Sequence, residues 1–124
     1  MLLPFRLGLG GVVGPGTQWW PWIALEDVCG MFVRAIEDDA IEGLFNATAP
    51  EPATNLEFTK ALGRALHRPT LLPLPTFAAR LVLGELADLL LHSTRAVPQR
   101  FLDCAFPFAC ADLDTALDRV LRST

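Results

Sequence analysis

The sequence predicts a mixed α/β chain that passes into a helix-rich second half. Three observations lead there. A capped amphipathic helix spans about 54–66 and stands behind a proline-ended apolar run at 44–50, after an earlier helical pattern, which is an α–β–α rhythm. Two more helical patterns, at 76–92 and 112–122, fill the second half. The first 25 residues carry no helical period, because Pro4, Pro15, Pro21 and five glycines between positions 8 and 16 interrupt it.

The elements follow in order. Residues 1–25 read as short extended pieces, Trp22-Ile23-Ala24-Leu25 among them. Glu26 and Asp27 then place negative charge at the positive end of a helix dipole. Val28, Cys29, Phe32, Val33 and Ile36 give this helix one apolar face, and it stops near Asp38-Asp39. "LFNATAP" (44–50) reads as a buried strand feeding a loop. Thr54 and Glu57 have capping-box spacing; Phe58, Ala61, Leu62, Ala65 and Leu66 form the apolar face behind them, and Pro69 ends the helix. "RPTLLPLP" (68–75) is extended. A greasy helix follows, capped by Thr76, with Arg80, Asp88 and His92 as its only wet stripe, and such a helix is expected to be mostly buried. "VPQRFLDCAFPF" (97–108) reads as a short helical turn and an extended Phe-Pro-Phe piece. The last helix, Asp112 to Arg122, has Leu113, Ala116, Leu117, Val120 and Leu121 on one face.

The chain has 124 residues, the size of one ordinary domain, with 52% hydrophobic and 19% charged residues. That excess points to apolar surface reserved for a partner or a missing segment, or else to an ordinary apolar-rich domain. A net charge of −4, one lysine and scattered arginines argue against nucleic acid. The most apolar window, 77–91, is too short for a membrane span and carries Arg80, Glu85 and Asp88. Three cysteines and no secretory leader suggest reduced thiols and a cytoplasmic setting. Cys104 and Cys110 lack the neighbours that zinc requires, so no metal is expected.

The glycine-rich stretch "GLGGVVGPGTQWWPWIALEDV" (8–28) poses the main chemical question. A dinucleotide cradle needs G-x-G-x-x-G followed at once by a helix start. Gly8 and Gly10 would need glycine at Val13, and the frame at Gly11, Gly14 and Gly16 runs into "TQWWPW". A Walker loop is absent too. The glycines are therefore read as turn formers with positive φ. Ser93, Ser123, His67 and His92 form no nucleophile–base set: His67 suits a helix end and His92 a surface pair with Asp88. No catalytic residue is assigned.

"LPFRLGLGGVVGPGTQWWPWIALEDV", "GLFNATAPEPATNLEFTKALGRALHRPTLLPLP" and "VPQRFLDCAFPF", in that order, resemble the last part of the epimerase-like proteins of the extended short-chain dehydrogenase/reductase superfamily. The branch resembled is the bacterial and mitochondrial one that ends in a small C-terminal domain of unknown function. The resemblance runs over nearly the whole chain. It implies residues 1–62 as the C-terminal part of a Rossmann-like epimerase domain and 63–124 as the helical C-terminal domain, sharing one core. Complete members carry an NAD(P)-binding Rossmann half and usually a catalytic Tyr-x-x-x-Lys. This chain has no tyrosine, and Met1 falls where members are within their final third. The resemblance thus implies a fragment that binds no cofactor alone and is inactive until joined to its Rossmann half; the alternative is a stand-alone module using its apolar surface on a protein partner. Trp22, Ile23 and Asp27 keep the family's Trp-Ile-His and Asp pattern, with Ala24 in place of histidine. Sugar-nucleotide epimerases carry a diphosphate-gripping arginine where this chain has Trp20, and an indole cannot make that contact. Arg6, Gln18, Trp19 and Trp22 are the implied residues lining a small-molecule substrate cleft. Packing the loop against the greasy helix is an equal alternative role for Arg6, Gln18 and Trp19.

Overall fold

A computed structural model describes residues 2–123. Its elements are α1 (Leu2–Arg6), β1 (Trp19–Trp20), α2 (Leu25–Glu37), β2 (Ala53–Thr54), α3 (Asn55–Leu66), α4 (Thr76–Leu83), α5 (Leu86–Leu91), α6 (Gln99–Asp103) and α7 (Leu113–Arg122). β1 and β2 pair antiparallel, Trp19 opposite Thr54 and Trp20 opposite Ala53. The chain is a mixed α/β unit, as its pattern predicts.

Local chemistry explains the best-defined helix ends. Thr54 accepts from the Glu57 N–H while the Glu57 carboxylate accepts from the Thr54 N–H at 2.7 Å, so the capping box is complete. Asp112 caps α7 by accepting from the Thr115 N–H at 2.9 Å. The same bond, with the Thr115 hydroxyl, holds the Asp112 carboxyl below its ordinary value. A depressed value means that the cap contributes fully above the ordinary aspartate range and is lost as pH falls through the lowered one. Amide resonances of the first turn of α7 should accordingly move in acid, below the ordinary aspartate value. Asp112→Asn should remove that step.

Four sequence expectations change. Residues 2–6 form a helical turn rather than an extended piece. "LFNATAP" is extended but is no strand: a strand exists only beside a neighbour, and Ala49 N–H to Trp22 O at 2.7 Å is its one backbone link to such a neighbour among the described residues. Thr76 opens α4 as its first helical residue, Pro75 occupies the cap position, and no side chain caps the end. The greasy helix divides at Gly84, whose φ of 57° and ψ of −129° are non-helical, and its large side chains are not buried.

That last difference extends through the whole chain. Alanines dominate the buried apolar positions, namely Ala24, Ala49, Ala53, Ala61, Ala79, Ala87 and Ala116, with Phe5, Met31, Leu62, Phe101 and Cys110 as the larger members. Leu81 on α4 is 84% exposed and Ile36 on α2 is 82% exposed, with Phe32, Val33, Phe77 and Leu89 also outward. The predicted apolar face of α2 exists as a pattern, yet the helix buries Asp27 and Met31 instead. A long helix face becomes core only when something covers it.

The glycines serve close packing. Gly14 N–H donates to Leu74 O and Leu74 N–H to Val12 O, both at 2.8 Å, joining residues 12–14 to 74 in a parallel bridge. Gly14 itself has φ 60°. At Gly11 any Cβ would run into the Leu72 carbonyl. Gly11→Ala should therefore separate these two segments and lower stability by about 2 kcal/mol or more, read by urea unfolding.

Candidate functional site

The glycine-rich segment arches over α3 and is tied down from both sides. Gly16 O accepts from the Leu56 N–H and Gln18 O from the Asn55 N–H, at 3.0 and 2.9 Å. Gln18 is buried, and its Nε2 donates to Val13 O at 2.9 Å and Leu90 O at 3.2 Å. Trp19 donates its backbone N–H to Ser93 Oγ at 3.0 Å, and the Arg95 guanidinium lies 5.3 Å from its ring centroid. Trp20 donates its indole N–H to Leu90 O at 2.9 Å, and its ring meets Phe58 at 5.6 Å. β1, not a helix N-terminus, follows the glycines.

Between this arch, α1, α3 and the α4–α5 pair lies a cavity of about 630 Å³. Phe5, Leu9, Trp20, Asn55, Phe58, Thr59, Val82, Leu86 and Leu89 are among the residues that line it. No charged side chain lines it. Asn55 is wholly buried; its Oδ1 accepts from the Val13 N–H at 2.9 Å, and its Nδ2 has no hydrogen-bond partner.

None of the four sequence-derived candidates is among the residues that line this cavity. Arg6 is exposed at the end of α1. Gln18 and Trp19 fasten the arch to the end of α5 and the turn after it, which is the packing role named as their alternative. Trp22 packs on Ala24, Cys110 and Ala116 and donates its indole N–H to Glu51 O at 2.9 Å. Asn55 and Phe58 went unremarked as site residues because the capping box and the apolar face account for both positions in sequence. Only the three-dimensional structure puts both among the residues that line this cavity.

Behind the site, Asp27 joins the two ends of the chain. It is 3% exposed, and its two carboxylate oxygens accept from the Ala109 and Cys110 N–H groups at 2.7 and 2.9 Å. The sequence reading placed it at the helix start for its charge; its partners are these two distant amides. Burial pushes the adjacent Cys110 thiol up from its ordinary value, with Arg119 pulling the other way. Glu26 and Asp114 form ion pairs with Arg119 and Arg64, each at 2.8 Å, which hold α7 against α2 and α3. Among the described residues no cluster of metal-ligating side chains occurs, and no helix is long and apolar enough to cross a membrane.

This fold is that of the C-terminal portion of a Rossmann-like epimerase. The chain superposes over its full length on the crystal structure of human epimerase family protein SDR39U1 (isoform 2) with NADPH, at a TM-score of 0.92 and 38% identity, covering 42% of that chain. Residues 74–120 match a family described as a domain of unknown function, DUF1731. Mouse epimerase family protein SDR39U1 is 43% identical over 122 residues, covering 98% of this chain and 42% of that protein. Epimerase family protein YfhF of Bacillus subtilis is 38% identical over 121 residues, covering 98% and 40%. The chain is similar to the C-terminal part of epimerase family proteins and spans about two-fifths of the length of these relatives.

Proposed function

We propose that this chain is the substrate-side portion of an NAD(P)-dependent epimerase or oxidoreductase-like protein, inactive by itself and completed by a Rossmann half. One observation carries the reading. The face of α2 presents Phe32, Val33 and Ile36 to solvent while the chain's own core is built on alanine. Large apolar side chains at helical spacing on an uncovered face are the inner surface of a larger core. The coverage of the relatives supports a partner of the remaining length, and the NADPH in the human protein's crystal structure supports a nicotinamide cofactor for the complete assembly. The absence of tyrosine supports inactivity of the chain alone.

In this reading residues 1–62 join the Rossmann-like half and 63–124 form the helical domain, with α3 crossing between them and α7 closing the shared core. Arg6 and Trp19 stand at the rim of a small-molecule cleft, and Gln18 and Trp22 hold the segments behind it. The assembly works in the cytoplasm and engages neither nucleic acid nor membrane.

The test is a calorimetric titration of the purified chain with NADPH and NADH, before and after mixing with the Rossmann half of a family member. The chain alone should show no saturable binding up to about a millimolar, where affinity corresponds to about −4 kcal/mol. The mixture should form a stable complex that binds nucleotide, and Ile36→Asp should prevent that complex. Micromolar nucleotide binding by the chain alone would overturn the reading. Stable, monomeric behaviour with no affinity for the half would favour the stand-alone interaction module.

A further inference from the structure

We infer that the exposed face of α4 and α5 is a self-association surface, which receives the same face of a second copy of this chain about a two-fold axis beside Gly84. The starting point is an apolar patch that the chain itself does not use. Phe77, Leu81, Val82, Leu86 and Leu89 are each more than half exposed, and all lie on this one helix pair. Exposed apolar side chains gathered in that way mark a surface on which something sits. The α2 face is a separate surface. Among the described residues no hydrogen bond or ion pair joins α2 to α4 or α5, and the long-range bonds of α2 go to α7 and to residues 109–110.

The order of residues about Gly84 selects a second copy as the occupant. Arg80 and Asp88 stand four residues to either side of it, and Val82 and Leu86 two. A two-fold axis at Gly84 therefore sets Arg80 of each copy against Asp88 of the other, and Val82 against Leu86. Two identical surfaces meet in an isologous contact, so each must carry both halves of every complementary pair. Both charges already stand on one surface: Arg80 Nη2 lies 3.5 Å from Asp88 Oδ1 across the helix break, and each side chain stays more than half exposed. Gly84 has open space where a Cβ would stand, which lets backbone approach backbone at the axis. The same axis brings the two Glu85 residues near each other, so Glu85→Gln should tighten the contact.

Sedimentation velocity on the purified 124-residue chain tests this, and a dimer should form in the micromolar range. Arg80→Asp and Asp88→Arg should each leave monomers, because each substitution sets like charges together twice. An equal mixture of these two variants should restore the dimer, since every facing pair then carries opposite charges. That restoration requires both variants to be folded, and no contact within a single chain can produce it. Leu81→Asp alters a side chain that is already in water and should also abolish the dimer, whereas Ile36→Asp should leave it intact. A chain that stays monomeric throughout overturns the inference. So does a dimer that survives Leu81→Asp, or a pair of charge variants that stays monomeric on mixing. Loss of binding to the Rossmann half on Leu81→Asp overturns it too, because this face would then belong to that half. Self-association is read on the chain alone, so it stands or falls apart from the functional reading, which Ile36→Asp tests.

Discussion

Asp27→Ala is expected to destabilise the chain by about 3–5 kcal/mol in urea unfolding. The carboxylate accepts two backbone N–H groups more than eighty residues away, and alanine would leave both of these donors without their partner at a site that is largely buried. Asn at this position keeps one acceptor but turns an NH₂ toward the second amide. Asp27→Asn should therefore fall between the wild-type chain and Asp27→Ala. A loss below about 1 kcal/mol for Asp27→Ala would mean that water replaces the carboxylate without penalty, and that the 109–110 segment is held by something else.

Phe101→Ala should cost a comparable amount, about 3–5 kcal/mol. Phe101 is 0% exposed and makes edge-to-face contacts with Phe45 at 5.1 Å and Phe106 at 5.4 Å; Phe106 in turn meets Phe108 at 5.0 Å. Truncation empties the middle of this aromatic row. Ile36→Ala is the informative contrast. It removes an apolar side chain from the predicted inner face of α2, yet in the chain alone it should change stability by no more than about 0.5 kcal/mol, because that side chain is in water. In complex with a Rossmann half the same substitution should weaken assembly. If Ile36→Ala destabilised the isolated chain as strongly as Phe101→Ala, the α2 face would be covered within the chain and the functional proposal would lose its main support.

Much of the architecture was legible in the residues. The capping box at Thr54 and Glu57, the end of α3 before Pro69, the short turn at 99–103 and the final helix all stand where their local chemistry puts them. Such features are governed by contacts a few residues apart. The glycine run was read as a non-phosphate turn because no helix start follows it. The order of its motifs supplied the family resemblance. The strand at 44–50 and the burial of the helix at 77–91 were misread for one shared reason. A period in the sequence shows which side of an element is apolar, but not whether anything lies against it.

The site shows the same division. Packing against the greasy helix stood as an alternative to a cleft-lining role for Gln18 and Trp19, and the structure has them hydrogen-bonded to its end and the turn after it. It could not single out Asn55, whose neighbours at 54 and 57 explain it as part of a cap. By itself the sequence determined the helix ends, the turn-forming role of the glycines, the lack of a tyrosine and the family resemblance, since each depends on local stereochemistry or on residue identity. Tertiary structure alone decided that Asp27 bridges to residues 109–110, that the core is built on alanine with most of the larger apolar residues outside, and that the Asn55 amide is buried with its Nδ2 unpartnered. Those outcomes depend on which surfaces meet across fifty to eighty residues of chain, and no periodicity within a single element encodes them.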